Sequence, residues 1–108
     1  MIKESKTIAK TKKTILIDTM EGVKTMLKEL PYIDYEIGTQ GGTLLELACA
    51  FTTDIEVVKY LLEQGADIHH TDHFGRNAFA YAWFNKTPYM DVFINQVLEQ
   101  YWNKTHAK

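Results

Sequence analysis

Cysteine and proline are nearly absent from this sequence. Of its 108 residues one is cysteine, two are proline and six are glycine. The single cysteine, Cys49, has no partner for an internal disulfide, and a Cys/His zinc site needs more ligands at closer spacing. These absences exclude a disulfide scaffold and a structural zinc domain. We therefore expect a small soluble domain that folds around an apolar core in a reducing compartment, the cytoplasm.

Long apolar runs and a strong excess of one charge are also missing. No apolar run approaches the roughly 18 residues of a membrane span, and no hydrophobic region follows the N-terminal lysines, as a secretory signal requires. Twelve basic and fourteen acidic side chains give a net charge of −2. Arg76 is the only arginine, and no aromatic residues interleave with those lysines. We expect no membrane partner and no nucleic-acid partner.

Catalytic signatures are missing as well. The chain has no phosphate-binding G-x-x-x-x-G-K-[ST] loop, no H-E-x-x-H zinc motif and no G-x-S-x-G nucleophile turn. Residues 38–42 are glycine-rich, but they follow no strand pattern and have no lysine placed to hold a phosphate, which predicts a turn. Cys49 lies between two alanines, and we expect a buried, unreactive thiol there. The sequence predicts no catalytic residue and no cofactor.

The sequence does contain an internal repeat. Shifted by 34 positions, residues 41–51 align with 75–85, and shifted by 35 positions, residues 20–30 align with 55–65. A third copy of the second segment is visible in YMDVFINQVLEQYW, residues 89–102, with Thr87 placed 34 residues after Thr53. A period of about 34 residues that occurs about three times indicates a stack of similar units. We expect a single domain over residues 1–108, with approximate repeats at 4–38, 39–72 and 73–104.

Each unit has the pattern of two helices. Thr43 can cap a first helix, with Glu46 as its reciprocal capping-box partner. Thr53 occupies the cap position of the second helix, and Gly65 supplies a left-handed end. In the last copy, Thr87-Pro88 places a capping residue before a proline at the first helical position. These signals predict an all-α fold.

Apolar residues recur at helical spacing in the second helices. Ile55, Val58 and Leu62 share one face, and a broad apolar stripe follows in the last copy, made of Met90, Phe93, Ile94, Val97, Leu98 and Tyr101. One helix pair cannot bury such faces alone, so neighbouring units must stack.

The middle copy resembles ankyrin repeats. Residues 43–48, TLLELA, occupy the place of the T-P-L-H-x-A signature, and residues 56–67, EVVKYLLEQGAD, match the rest of the repeat closely. Leu44 stands where the family has proline, Glu46 stands where it has histidine, and one extra residue lies near 52–54. The flanking copies match in part. The resemblance implies an all-α solenoid of about three stacked helix-turn-helix units with projecting turns.

Histidines and carboxylates cluster in one short segment. Five side chains that can bind zinc or nickel lie within seven residues, namely Asp67, His69, His70, Asp72 and His73. The resemblance places this segment on a projecting turn, whose extended backbone sends successive side chains to opposite sides. We therefore expect no metal site, and instead polar turn tips that form part of a recognition surface.

The resemblance also implies where a partner would bind. Ankyrin repeats contact proteins through the turn tips and the concave face of the first helices. The matching positions are Phe51, His70, His73, Phe74, Arg76, Trp83, Phe84 and Asn85. Aromatic and arginine side chains dominate interface energies, so Phe74 is the first candidate. We expect acidic flanks from Glu46 and Asp72. For Trp83, an enlarged core residue is an equally good interpretation.

These observations predict a non-catalytic module that binds a partner protein through the repeat turns and the concave helix face. The alternative is a stand-alone inhibitor, such as an immunity protein that neutralises a cognate toxin or enzyme. Residues 29–72 carry nine acidic side chains and only one lysine, which would suit a basic partner surface. The aromatic C-terminal helix is a candidate surface for a homodimer.

Overall fold

The computed structural model describes residues 19–106, and this part of the chain is helical. Its five helices are α1 (Met20–Glu29), α2 (Leu44–Phe51), α3 (Ile55–Glu63), α4 (Ala78–Ala82) and α5 (Met90–His106). The extended backbone within this range pairs at one point, an antiparallel bridge between Ile37 and Gly42. The predicted all-α fold is confirmed. The lysine-rich N-terminal segment lies outside the described residues.

The helices pack as the internal repeat requires. The short helices α2 and α4, which carry the first aligned segment, lie against each other, and α3 packs on α5. Within each unit α2 packs on α3, and α4 packs on α5, while α1 lies against α3. Corresponding helices of successive units are therefore neighbours. None of the helices between residues 19 and 106 has the length and apolar character needed to cross a bilayer.

The start of α2 is fixed by a reciprocal cap. Glu46 N donates to Thr43 Oγ1 at 3.3 Å, and Thr43 N donates to Glu46 Oε1 at 3.0 Å. Both residues are buried. The predicted capping box is confirmed, and it satisfies backbone donors that would otherwise be buried without partners.

Two helix starts differ from the prediction. The cap of α3 is Asp54, whose carboxylate accepts from Glu56 N at 2.9 Å, so Thr53 is wrong by one residue. Asp54 N in turn donates to Thr52 Oγ1, which holds the aspartate in place. Helix α5 begins at Met90 rather than at Pro88, because Tyr89 adopts a left-handed φ of 62° and turns the chain first.

The end of α3 follows the prediction. Gly65 has a φ of +98°, a conformation that glycine adopts without steric cost. Gly65 N donates to Leu62 O and Ala66 N donates to Leu61 O, both at 3.1 Å. This pair of bonds is a Schellman motif, and it satisfies two of the last carbonyls of the helix.

The core lies between the stacked helices. Its largest fully buried apolar side chains come from α2, α3 and α5, namely Leu44, Leu45, Leu61, Ile94 and Leu98. Ala48 and Cys49 are also fully buried, so α2 approaches its neighbours through small residues. Phe93, predicted to belong to the apolar stripe of α5, is 49% exposed and lies at the edge of that stripe.

Candidate functional site

Two turns from successive units lie side by side. We call residues 35–42 the first turn and residues 66–77 the second turn. Ile37 N donates to Gly42 O at 2.7 Å and closes the first turn. His73 N of the second turn donates to Gln40 O of the first at 2.8 Å, so the two turn backbones are joined directly.

The second turn is built around the buried carboxylate of Asp72. Asp72 Oδ1 accepts from Phe74 N at 2.9 Å and from Arg76 N at 2.8 Å. Asp72 Oδ2 accepts from Arg76 Nε at 2.8 Å and from the Tyr81 hydroxyl at 2.5 Å. Four hydrogen bonds to one carboxylate fix the backbone on both sides of Phe74.

These contacts shift the proton equilibria of the carboxyl and the phenol. Burial by itself disfavours the Asp72 anion, but the hydrogen bonds from Tyr81, Arg76 and Phe74 N outweigh it and hold the pKa of Asp72 well below its usual range. Burial, and then the hydrogen bond to Asp72, raise the pKa of Tyr81 to about 12. The carboxylate is therefore ionised and the phenol protonated at neutral pH.

Arg76 connects this carboxylate to the aromatic residues around it. Its guanidinium carbon lies 5.1 Å from the centre of the Phe74 ring, 5.3 Å from that of Tyr81 and 5.9 Å from that of Phe84. Arg76 Nη2 also donates to Gln40 Oε1 of the first turn at 2.9 Å. A guanidinium attracts ring faces at such distances. Arg76 thus brings Phe74 and Phe84 to one surface.

Four large aromatic side chains between residues 51 and 84 are exposed, and two of them, Phe74 and Phe84, lie near this arginine. The exposed fractions are 49% for Phe51, 69% for Phe74, 77% for Trp83 and 52% for Phe84. The interpretation of Trp83 as a core residue is therefore wrong. We call these four residues together with Arg76 the aromatic face. Phe74 and Phe84 meet at Arg76, and exposed apolar side chains that lie together mark interaction sites more often than they mark ordinary surface.

Asn85 has a role inside the fold. Its amide nitrogen donates to Cys49 O at 3.0 Å and to Thr52 O at 2.9 Å, and its carbonyl oxygen accepts from Thr87 N at 2.8 Å. These bonds bring the segment after α4 next to the end of α2. Phe84 and Phe51 directly precede Asn85 and Thr52 in the chain.

Two of the three histidines of the second turn, His70 and His73, face carboxylates. His70 Nδ1 lies 3.1 Å from Glu46 Oε2, and His70 Nε2 lies 3.0 Å from Glu36 Oε2. His73 Nε2 lies 3.2 Å from Glu36 Oε1, and His73 Nδ1 lies 3.1 Å from the backbone oxygen of Thr39. Glu36, on the first turn, therefore joins His70 and His73 of the second turn.

The surroundings change the ionisation of this group. Partial burial disfavours a charged His70, but the hydrogen bonds and charges of Glu46 and Glu36 outweigh it and raise the pKa of His70. Hydrogen bonds from His70 and then His73 lower the pKa of Glu36. Burial raises the pKa of Glu46, although His70 and Thr43 N oppose that effect.

The prediction that Glu46 and Asp72 form acidic flanks of the recognition surface is wrong. Glu46 and Asp72 are both buried and accept internal hydrogen bonds, so neither carboxylate is an exposed acidic flank of the aromatic face. Sequence reasoning missed Glu36, an exposed acid that contacts His73, the residue directly before Phe74. The repeat length could have predicted this contact. Glu36 and His70 are 34 positions apart, which is one repeat, and equivalent positions of stacked units face each other.

The remaining candidates are Cys49 as a nucleophile and the histidines as metal ligands, and burial and geometry argue against both roles. Cys49 is fully buried, and burial together with the charge of Glu46 raises the pKa of its thiol, which keeps it protonated. The ring of His69 lies 4.2 Å from that of Trp102, away from the other two histidines' partners. Among residues 19–106, no three His, Cys, Asp or Glu side chains are arranged to hold a metal ion.

Part of the chain is similar to a known protein family. The family model described as ankyrin repeats (many copies) matches residues 43–92, from the cap of α2 into the first turn of α5. This range contains the second turn and the whole aromatic face. No curated protein shows a significant match to the chain.

Proposed function

Because residues 43–92 of this chain are ankyrin repeats, which are in general protein–protein interaction modules, we propose that it is a non-catalytic module that binds one partner protein through the aromatic face. The observation that carries the proposal is the position of Phe74, exposed at the tip of the second turn yet held on both sides by bonds to Asp72. An aromatic anchor that is already ordered loses little entropy on binding.

The rest of the aromatic face supports the same role. Phe84 shares the Arg76 guanidinium with Phe74, and Trp83 is the most exposed of the four rings. Large aromatic side chains bury much apolar area, and a few of them carry most of the energy of a typical interface. The surface is therefore suited to apolar side chains of a partner rather than to a charged ligand.

The charges around the face suggest the chemistry of that partner. The positive charge of Arg76 is compensated by Asp72, so the centre of the face is close to neutral. Residues 29–72 carry nine acidic side chains against one lysine, and among these acids Glu36 is exposed and bonded to His73, which directly precedes Phe74. We expect a partner that presents apolar anchors bordered by basic residues, in the cytoplasm, where Cys49 stays reduced.

Affinity capture with variants tests this function. The tagged protein is used to capture partners from a lysate of the source cells, in parallel with Phe74→Ala and Phe84→Ala. Tyr32→Ala is the matched control, because Tyr32 is also an exposed aromatic residue but lies outside the aromatic face. A protein held by the wild type and by Tyr32→Ala, and lost by both phenylalanine variants, supports the proposal. Equal capture by all four chains overturns it.

Pairing of two copies through the C-terminal helix is a second proposal. It is supported by exposed apolar residues at the start of α5, where Tyr89, Val92 and Phe93 are all about half exposed or more. Sedimentation velocity of the wild type and of Phe93→Asp measures it. A dimer that dissociates in the variant supports pairing, and a wild-type monomer at high concentration rules it out.

A further inference from the structure

The two turns share a hydrogen-bonded group that the proposed binding function does not use. We call Glu36, Glu46, His70 and His73 the histidine latch. Glu36 comes from the first turn, Glu46 from α2, and both histidines from the second turn. Three contacts join these side chains to one another and a fourth joins His73 to Thr39 O, and all four are 3.0–3.2 Å long.

The protonation state that the latch requires of His70 follows from the groups that face its two ring nitrogens. A neutral imidazole has one N–H donor and one acceptor nitrogen, whereas an imidazolium has two donors. Both nitrogens of His70 face carboxylate oxygens, which can only accept when ionised. Loss of one proton from His70 would leave a nitrogen lone pair against an oxygen lone pair and an acceptor without its donor.

The charges around His70 favour the protonated form. Glu36 and Glu46 face it from the first turn and from α2, and Asp72 adds a negative charge near Glu46. The other imidazole of the latch, His73, lies on the far side of Glu36. The side chain of Glu46 is 1% exposed, so a deprotonated His70 would leave a buried carboxylate without its cation.

The latch is connected to the tip of the second turn. His73, whose ring bonds to Glu36, also donates its backbone N–H to Gln40 O and directly precedes Phe74. The ring of His73 lies against Gly41, where an added Cβ would be 2.6 Å from Nε2. The hydrogen bonds of Asp72 to Phe74 and Arg76 lie within the second turn and do not depend on the latch.

From this geometry we propose that the histidine latch is a pH-sensitive device that holds the second turn, with Phe74 at its tip, against the first turn when His70 is protonated. Deprotonation of His70 breaks one of its two carboxylate contacts and loosens the joint between the turns. The internal frame around Asp72 persists, so the tip moves as a unit rather than unfolding.

The direction of the pH dependence follows from linkage. The pKa of His70 is raised in the folded state, so its stabilisation is complete below the ordinary value of 6.5 and is lost as the pH rises through the folded value. The pKa of Glu36 is lowered, so its contribution is present above 4.5 and is lost as the pH falls through the folded value. The raised pKa of Glu46 gives a contribution that, like that of His70, declines with rising pH.

Two measurements on the isolated protein test the latch without any partner. Imidazole nitrogen shifts in NMR give the pKa of His70, and amide shifts of Gln40, His73 and Phe74 report the joint between the turns. We expect a His70 pKa above 6.5, with the amide shifts moving at the same midpoint. Thermal unfolding between pH 6 and pH 8.5 should show a melting temperature that falls by several degrees.

Two matched variants each remove one negative charge. Glu36→Gln removes it inside the latch, and Glu63→Gln, the control, removes it outside the latch. Glu36→Gln should bring the His70 pKa closer to 6.5 and flatten the pH dependence of melting, whereas Glu63→Gln should resemble the wild type. A wild-type His70 that is neutral at pH 6.5, or amide shifts that do not follow its titration, overturns the proposal even where a variant fails to fold. Identical pH dependence in Glu36→Gln and wild type does so as well.

Discussion

Arg76 Nε donates to Asp72 Oδ2 at 2.8 Å, while the same guanidinium lies over the rings of Phe74 and Phe84. One side chain therefore joins a buried carboxylate to two exposed aromatic rings. Because the carboxylate is itself fixed by the hydroxyl of Tyr81, the order of the exposed surface depends on the buried core beneath it.

Removing the hydroxyl that supports Asp72 should destabilise the protein. Tyr81→Phe deletes a hydrogen bond to a buried anion, and we expect it to lower the free energy of unfolding by about 1.5–3 kcal/mol. Tyr60→Phe is the control, since Tyr60 lies on α3 away from this carboxylate, and it should stay within about 0.5 kcal/mol of wild type. Urea unfolding measures both. Equal small losses in the two variants would contradict the role given to Tyr81.

The stacked core gives a second expectation. Leu61 is fully buried on α3, and Leu61→Ala leaves a cavity that should cost about 2–5 kcal/mol. Total stabilities of small domains start at about 5 kcal/mol, so a loss at the upper end of this range would leave much of the variant unfolded at room temperature. Val92→Ala, at a half-exposed position on α5, should change little. Cooperative unfolding of Leu61→Ala at the wild-type urea midpoint would refute this packing.

Two glycines of the first turn form a natural pair for a test of the joint between the turns. Gly38 and Gly41 have φ values of +80° and +79°, so alanine at either position carries a similar backbone cost of about 1–2 kcal/mol. A Cβ at Gly41 would also meet the His73 ring at 2.6 Å, whereas a Cβ at Gly38 meets nothing within 4 Å. Gly41→Ala should therefore melt several degrees below Gly38→Ala. Similar melting temperatures would show that the His73 ring moves aside freely.

Metal addition and removal should have no effect on stability. His70 and His73 direct their nitrogens at carboxylate and backbone oxygens, and Asp72 is occupied by Arg76 and Tyr81. We expect the melting temperature to be the same with a chelator and with added zinc. A zinc-dependent rise that disappears in a His70→Ala/His73→Ala double variant would disprove this.

Sequence patterns were sufficient for the parts of the fold that depend on local chemistry. The capping box of Thr43 and Glu46 and the left-handed Gly65 involve residues a few positions apart, so their spacing alone predicts them. The predicted cap of α3, Thr53, is one residue before the cap in the structure, Asp54. Both residue types are good caps, and the hydrogen bond from Asp54 N to the Thr52 hydroxyl favours Asp54.

The functional surface was predicted only in part. The exposed rings of Phe51, Phe74 and Phe84 follow from their places in the repeat, but the internal role of Asn85 depends on contacts with the preceding unit. Glu36 escaped notice because its partners are a full repeat away in sequence. Contacts between stacked units require both the period and the register, and composition reveals neither.

We propose that Phe74 and Phe84 bind a partner and contribute little to the stability of the fold. The most direct measurement is titration calorimetry of the captured partner with wild type, Phe74→Ala, Phe84→Ala and Tyr32→Ala, together with the melting temperature of each chain. Each phenylalanine variant should weaken binding by about 2 kcal/mol or more, about 30-fold in Kd, with little change in melting temperature, and Tyr32→Ala should bind as wild type. Unchanged affinity together with a large fall in melting temperature would show that these rings serve the core and that the binding surface lies elsewhere.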